Sequence, residues 1–338
     1  NVLIRSERVT FANHIWLWRI SQPRLVWSGR PQSLQADRLR EHALLSHEID
    51  GSMRWQVWTP NVPSSSSFAL TQAATSSAFQ TRWRSDGQAA IIEEPLSGKT
   101  WWIHTLKGRE SAELLTKGTY HWSETDLIGN TEKSTIRLNT NEQRFVRTPH
   151  KTGVFEQSQG LELQALTTSS EQRILVDDSF LTRRFALPPG NWSFGEIQRP
   201  FVLLRDLDRW LAVQIKFGQP YAETVRGDYP RWATRQDPPK ALFLQGNEIW
   251  MWAMGSSPTL LWRQSAPLVQ VAWHRSGDYV FVADQKQLFV LSVIDGADQV
   301  VTALASFENI VDLTVIGRSL YVAGEKDRSS GIWELLVE

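Results

Sequence analysis

The chain has no cysteine in its 338 residues, which excludes disulfides, thiolate metal ligands and a cysteine nucleophile together. It also lacks net charge, since 36 Lys and Arg balance 36 Asp and Glu. A nucleic-acid or anionic-membrane binder carries a surplus of positive charge on its binding face, so neither partner is expected. Long hydrophobic runs are missing as well. Tyr279-Val280-Phe281-Val282-Ala283 has strand length and ends at once in Asp284-Gln285-Lys286, whereas a bilayer span takes about 20 apolar residues. No direct membrane insertion of this segment is expected. There is no Gly-x-Ser-x-Gly elbow, no Walker loop and no dinucleotide glycine pattern, so serine hydrolysis and phosphate chemistry lose their usual settings. The first residue is Asn1 rather than Met, with no basic-then-apolar leader, and the chain reads as a mature form or a fragment.

What is present is a recurring phrase of about forty residues, the sign of radially repeated sheets. Its clearest copies are Arg82-Trp83-Arg84-Ser85-Asp86-Gly87 and Ala272-Trp273-His274-Arg275-Ser276-Gly277-Asp278. Aromatic anchors stand at Trp83, Trp122, Trp192, Trp232 and Trp273. The long interval between Trp122 and Trp192 is read as two repeats, with the missing anchor near Val154-Phe155-Glu156. About twenty residues after the anchors come apolar strands such as Trp101-Trp102-Ile103, Ile174-Leu175-Val176, Trp210 to Val213, Ile249 to Trp252 and Leu288 to Leu291, matched near the ends by Ile15 to Trp18 and Ile332 to Leu335. A shorter, edge-like strand follows, as in Arg24 to Trp27, Glu113 to Thr116, Arg183 to Leu187 and Thr259 to Trp262. Four strands per repeat result.

Strands apolar on both faces need a sheet stacked on each side, and neighbouring blades supply it. This accounts for most of the 17 Trp, each of which contributes on the order of 2 to 3 kcal/mol when buried. The expected fold is therefore all-β: one propeller domain, 1–338, of four-stranded blades, eight in number with seven as the alternative. The last repeat, from Ile310 to Glu338, ends without its outer strand, and Asn1 to Ser6 is expected to supply it, closing the ring through the termini and hiding otherwise exposed edges. An irregular segment is expected at 32–67, with a short helical pattern from Leu34 to Glu41 and a loop at Ser64 to Ser67,.

The two clear turns resemble the Trp-Ser-Pro-Asp-Gly turn of bacterial TolB-like and WD40-like propellers, although both copies lack the proline and the chain lacks the Trp-Asp dipeptide and Gly-His of true WD40 repeats. The resemblance is at the level of a superfamily. It implies a rigid platform for other proteins, often in the bacterial envelope, and hence an extracytoplasmic setting, periplasm or cell surface. The turn itself is a folding signal, because Asp86-Gly87 permits a positive backbone dihedral between two strands,.

Candidate chemistry is sparse. The seven histidines lack metal-ligand spacing,, although His121 and His274 each flank an anchor Trp and could meet at the axis. Glu93-Glu94 and Asp177-Asp178 would point to opposite faces of their strands, and Asp206-Leu207-Asp208 suits a hairpin turn,. No catalytic residue, metal ligand or cofactor is expected. The most suggestive polar stretch is Arg226-Gly227-Asp228-Tyr229-Pro230-Arg231, a connection from one blade's outer strand to the next blade's inner strand. Arg and Tyr are enriched in interfaces, and a Pro-stiffened loop loses less entropy on binding. Tyr120, His121 and Asn191 fall in equivalent connections, so the expected binding rim is Arg226, Asp228, Tyr229, Arg231, Tyr120, His121 and Asn191. The sequence points to a non-catalytic scaffold for a protein or peptide at the rim and channel mouth. The alternatives are a propeller hydrolase or lyase acting on a sugar or lactone with an axial divalent metal, and a self-assembling structural subunit.

Overall fold

The structure is a computed structural model that describes residues 6–11, 14–37, 41–62, 67–70, 79–84, 87–94, 97–106, 109–123, 126–131, 134–139, 144–149, 154–158, 161–167, 172–178, 181–190, 192–198, 201–214, 224–228, 230–233, 239–294 and 299–337. Every regular element among them is a strand, and every ladder is an antiparallel pairing of sequence neighbours apart from one. In chain order the sheets occupy 30–58, 80–114, 119–149, 154–186, 193–226, 231–263, 268–306 and 309–336, here the first to the eighth sheet. The first strands of the first, seventh and eighth sheets lie against one another, which marks the axial side. The fold is a β-propeller.

Among the described residues pairing gives seven four-stranded sheets, one three-stranded sheet and a two-stranded hairpin, so the expected eight complete four-stranded blades are not found there. Six blades of three or four strands, the first, second and fifth to eighth sheets, are described with side chains over most of their length; the third and fourth are described mainly as backbone. The three-stranded sheet is the first, and it overturns the expectation of an irregular 32–67: Arg30–Ala36, Ala43–Ile49 and Ser52–Trp58 are strands within it. Leu34-Gln35-Ala36 is thus extended rather than helical, because Leu34 opposite Leu45 can enter the core. Beyond its third strand the described residues add one bridge, Trp55 to Phe68; most of the expected loop at Ser64 to Ser67 lies outside the described residues.

The edge of the eighth sheet is covered by Arg24–Ser28, which pairs with Ser329–Leu336. The expected donor, Asn1 to Ser6, does not do this: Ser6 belongs to Ser6–Phe11, which pairs with His14–Arg19 in a separate hairpin. Residues 1–5 lie outside the described residues. Leu25 and Trp27 of this strand pack against the apolar clusters on its two sides. A polar network fastens the joint: Glu334 accepts from Arg24 (2.5 Å), Ser319 (2.9 Å) and Tyr321 (2.9 Å). Burial pushes the Glu334 carboxyl up, but these three donors hold it below the ordinary carboxylate value.

Six apolar clusters sit between neighbouring sheets. Phe243, Trp210 and Trp252 fill the space between the fifth and sixth sheets, Trp273 and Val280 that between the sixth and seventh, and Phe281 and Trp333 that between the seventh and eighth. Trp58 and Tyr321 join the eighth to the first, Trp55 and Trp101 the first to the second, and Trp102 and Tyr120 the second to the third. Strand Val154–Ser158 of the fourth sheet lies against Thr119–Ser123 and Asp126–Asn130 of the third. The described packing therefore runs unbroken from the fifth sheet round to the fourth.

The anchor column does more than fill space. Trp83 Nε1 donates to the carbonyl of Gln35 (3.2 Å), Trp122 to that of Arg82 (2.9 Å) and Trp273 to that of Arg231 (2.7 Å). Each indole thus bonds the axial strand of the preceding sheet, so a buried N–H is satisfied across the junction it packs. Trp192 departs from the column. It precedes strand Ser193–Gln198 instead of ending it, and its indole donates locally to Pro188 (2.7 Å).

Candidate functional site

The loop from Arg226 to Arg231 joins strand Thr224–Arg226 of the fifth sheet to Arg231–Trp232 of the sixth, as expected. Its backbone is held on both sides. Gly227 donates to Asp208 O (2.9 Å) and Asp228 to Leu244 O (3.0 Å), while the buried Trp210 indole donates to Gly227 O (3.2 Å). Gly227 takes φ +142, and a Cβ there would lie 2.9 Å from Leu244 O, so only glycine fits. The side chains of Arg226 and Asp228 are exposed on this fixed frame.

Arg231 is only half exposed, and its guanidinium sits in the field of two carboxylates. Burial lowers its pKa, opposed by Asp228 and by Asp312 of the eighth sheet. Asp312 is the centre of a polar chain along the axial strands. Its Oδ2 accepts from Leu34 N (2.8 Å), and its Oδ1 accepts from Gln270 Nε2 (2.8 Å) and Leu313 N (2.8 Å). Leu34, Asp312 and Gln270 belong to the first, eighth and seventh sheets. Bulges between Leu268 and Gln270 and between Ile310 and Asp312 break the strand alternation there and re-aim both polar side chains. Burial raises the Asp312 carboxyl above its ordinary value, against three hydrogen-bond donors and Arg231. The result is a chain of hydrogen bonds from Gln270 through Asp312 to Leu34 that ties the seventh, eighth and first sheets, with Arg231 of the sixth sheet within the electrostatic reach of Asp312.

The other expected rim residues do not gather with these. Tyr120 is 3 % exposed, packed between the second and third sheets, with its hydroxyl donating to Thr116 O; it is a core residue and leaves the rim. His121 lies on strand Thr119–Ser123, and its side chain is outside what is described. Tyr229 and Asn191 fall outside the described residues. Of the expected rim residues, Arg226, Asp228 and Arg231 lie in one described loop, with Asp312 acting on Arg231 and Gln270 bonded to Asp312; neither Asp312 nor Gln270 was among the expected residues. The available signal was one carboxylate inside the apolar run Ile310-Val311-Asp312-Leu313.

His274 takes a turn role: its Nδ1 meets Ser276 Oγ (3.0 Å) and accepts from Ser276 N (3.2 Å). In the second sheet, His104 lies near Ser111 and Glu113, a trio that suggests a hydrolytic triad. Both partners address the same nitrogen, Nε2, at 3.5 and 4.0 Å, so Glu113 does not orient the ring from the far side as a triad requires. Burial lowers the His104 pKa, with Glu113 opposing. Among the described residues no group of three or more His, Asp or Glu could hold a metal ion, and no helix is long and apolar enough to cross a membrane.

No family model matches the chain, and no curated protein does. Among solved structures it is similar to Saccharomyces cerevisiae Sqt1, at 8 % identity over 94 % of this chain and 98 % of that one, with a TM-score of 0.54. It also matches Kluyveromyces lactis Hsv2p at 16 % identity over 61 % of this chain and 70 % of that one, with a TM-score of 0.39. The likeness to Sqt1 spans nearly the whole of both chains and shows a shared WD40-like propeller fold.

Proposed function

We propose that the chain is a non-catalytic propeller scaffold that captures a protein or peptide at the channel mouth through Arg226, Asp228 and Arg231, with Tyr229 beside them in sequence. The observation that carries this reading is the rigidity of the Gly227-Asp228 backbone: bonded to sheets on both sides, it presents charged groups without an ordering cost on binding,. The Asp312 carboxylate, bonded to Gln270, favours the charged form of Arg231. The whole is read as one ring, closed where the fourth sheet meets the fifth. The turn resemblance favours a TolB-like lineage and an extracytoplasmic, bacterial setting; both solved structures above come from yeasts, so cell fractionation decides that point separately.

The test is a charge reversal, Arg226→Glu with Asp228→Lys, compared with the unaltered protein for photo-crosslinked partners in cells expressing it. Loss of a defined adduct with an unchanged melting temperature is expected. An adduct of undiminished yield removes this rim from consideration.

A further inference from the structure

On the side of the propeller where the axial strands end, the seventh and eighth sheets leave a cavity of about 610 Å³. Its walls are the second copy of the repeat phrase, His274 to Ser276, and the turn Gly317-Arg318; its floor is Phe281, Val315 and Val337. Both turns follow the first strand of their sheet, Leu268–Trp273 and Asn309–Ile316. The Arg226 to Arg231 loop precedes a first strand, Arg231–Trp232. The cavity is therefore on the face opposite the rim, and it is a different site.

Turn length explains why it is open. The corresponding junction between the first and second sheets faces the connections 37–42 and 84–89, both longer than 317–318, and the residues described in them pack closely. Asp37 and Arg84 are buried there, and a Cβ on Gly87 would come within 2.3 Å of Asp37 Oδ2. In the eighth sheet the connection shrinks to two residues, Gly317 and Arg318, between Ile316 and Ser319.

The charge of the lining is one-sided. Arg275 and Arg318 are exposed at the mouth with His274 beside them, and among the described residues no carboxylate lines the cavity. Asp278, on the same turn, is exposed and is not part of the lining. Glu334 lies behind Ser319, engaged with Arg24 and Tyr321. Two guanidiniums over an apolar floor fit a carboxylate next to an apolar side chain, since Arg pairs with carboxylates through parallel hydrogen bonds.

We infer that this cavity is a docking site for an acidic peptide segment, with a carboxylate held between Arg275 and Arg318 and a neighbouring aliphatic side chain seated on Phe281, Val315 and Val337. An apolar floor favours a peptide over a bare anion, which would gain nothing from it.

The test uses fluorescence anisotropy on the whole chain with a labelled hexapeptide of Asp-Leu-Glu core. Its Asn-Leu-Gln counterpart, inorganic phosphate, and phosphatidylcholine vesicles with phosphatidylserine serve as the other arms. The acidic peptide is expected to bind and to protect the amides of 274–281 and 315–319 from hydrogen exchange. Arg275→Ala and Arg318→Ala each weaken it by about tenfold or more, the effect of losing a charge-assisted bond, while Arg226→Glu with Asp228→Lys leaves it unchanged. Both arginines are exposed, so the variants keep the melting temperature of the parent; Arg275→Glu supplies a second variant of opposite charge. Equal binding of the neutral peptide, protection by phosphate or vesicles alone, binding indifferent to both arginines, or no binding of the acidic peptide overturns the inference.

Discussion

The two clear copies of the repeat phrase share a backbone and differ in what lies around it. In the first, Arg84 N donates to Ala89 O and Gly87 N to Arg84 O; in the second, His274 N donates to Tyr279 O and Gly277 N to His274 O. Gly87 and Gly277 both take positive φ, 72° and 80°. Yet Arg84 is buried and helps to close its junction, whereas His274 and Arg275 stand beside an open cavity. The phrase sets the turn; the neighbouring turn decides whether the junction is plugged or available.

The same comparison ranks the expected effects of mutation. Trp273 is 1 % exposed, so Trp273→Ala loses its burial and the bond to Arg231 O, at a cost of about 3 to 5 kcal/mol. Trp83 is half-buried with the longer bond to Gln35 O, and Trp83→Ala costs less; urea unfolding of the two variants measures the gap, and equal losses would break the ranking.

Gly87→Ala must strain a positive φ and push against Asp37 Oδ2, together worth roughly 2 kcal/mol or more by the usual scale of backbone strain and overpacking. Gly277→Ala shares the strained φ, and a cost near 1 kcal/mol is expected from that term alone. Thermal melts of both variants separate the plugged junction from the open one.

A pH effect follows at the eighth sheet. The Glu334 carboxyl is held below its unfolded value of 4.5, so the folded state favours the ionised form. Its contribution is complete above that value and is lost as pH falls through the lower folded pKa. Glu334→Gln is expected to destabilise at neutral pH and to flatten this part of the acid limb. His47 works in the same direction at higher pH. Burial, then Arg54, holds it below 6.5, so its contribution is present above 6.5 and declines as pH falls. Urea midpoints between pH 3 and 8 for parent, Glu334→Gln and His47→Gln test both signs. The smallest effects belong to exposed Arg275 and Arg318, where alanine is expected to change stability by no more than about 0.5 kcal/mol.

Much of the fold was legible because the repeat is written in residues with one job. Runs such as Tyr279 to Ala283 are strands at every level of description, and the edge-like segments Glu113 to Leu114 and Thr259 to Trp262 do close their sheets. Ile15 to Trp18 matched the third-strand pattern just as well but belongs to a hairpin, since apolar alternation does not say which partner a strand takes. Residues Leu34 to Glu41 space their apolar groups as a helix would, but over Leu34 to Ala36 tertiary pairing with Ala43–Ile49 prevailed. The site was harder to read. Arg226 and Arg231 stand out in a polar loop, but Asp312 acquires its role only when three sheets bring Leu34, Gln270 and Leu313 to its oxygens. Tyr120 shows the reverse error, a loop-like neighbourhood whose side chain is core.

On the proposed reading the repeat builds the ring and the exposed loops beside it do the binding. The most direct measurement places a photo-crosslinking residue at position 226, 275 or 88 in turn, in cells expressing the protein. Gln88, exposed beside the plugged first copy, is the internal control. Defined adducts at 226 and 275 and none at 88 are the predicted result. Adducts of equal strength at 88, or none at 226, would contradict it.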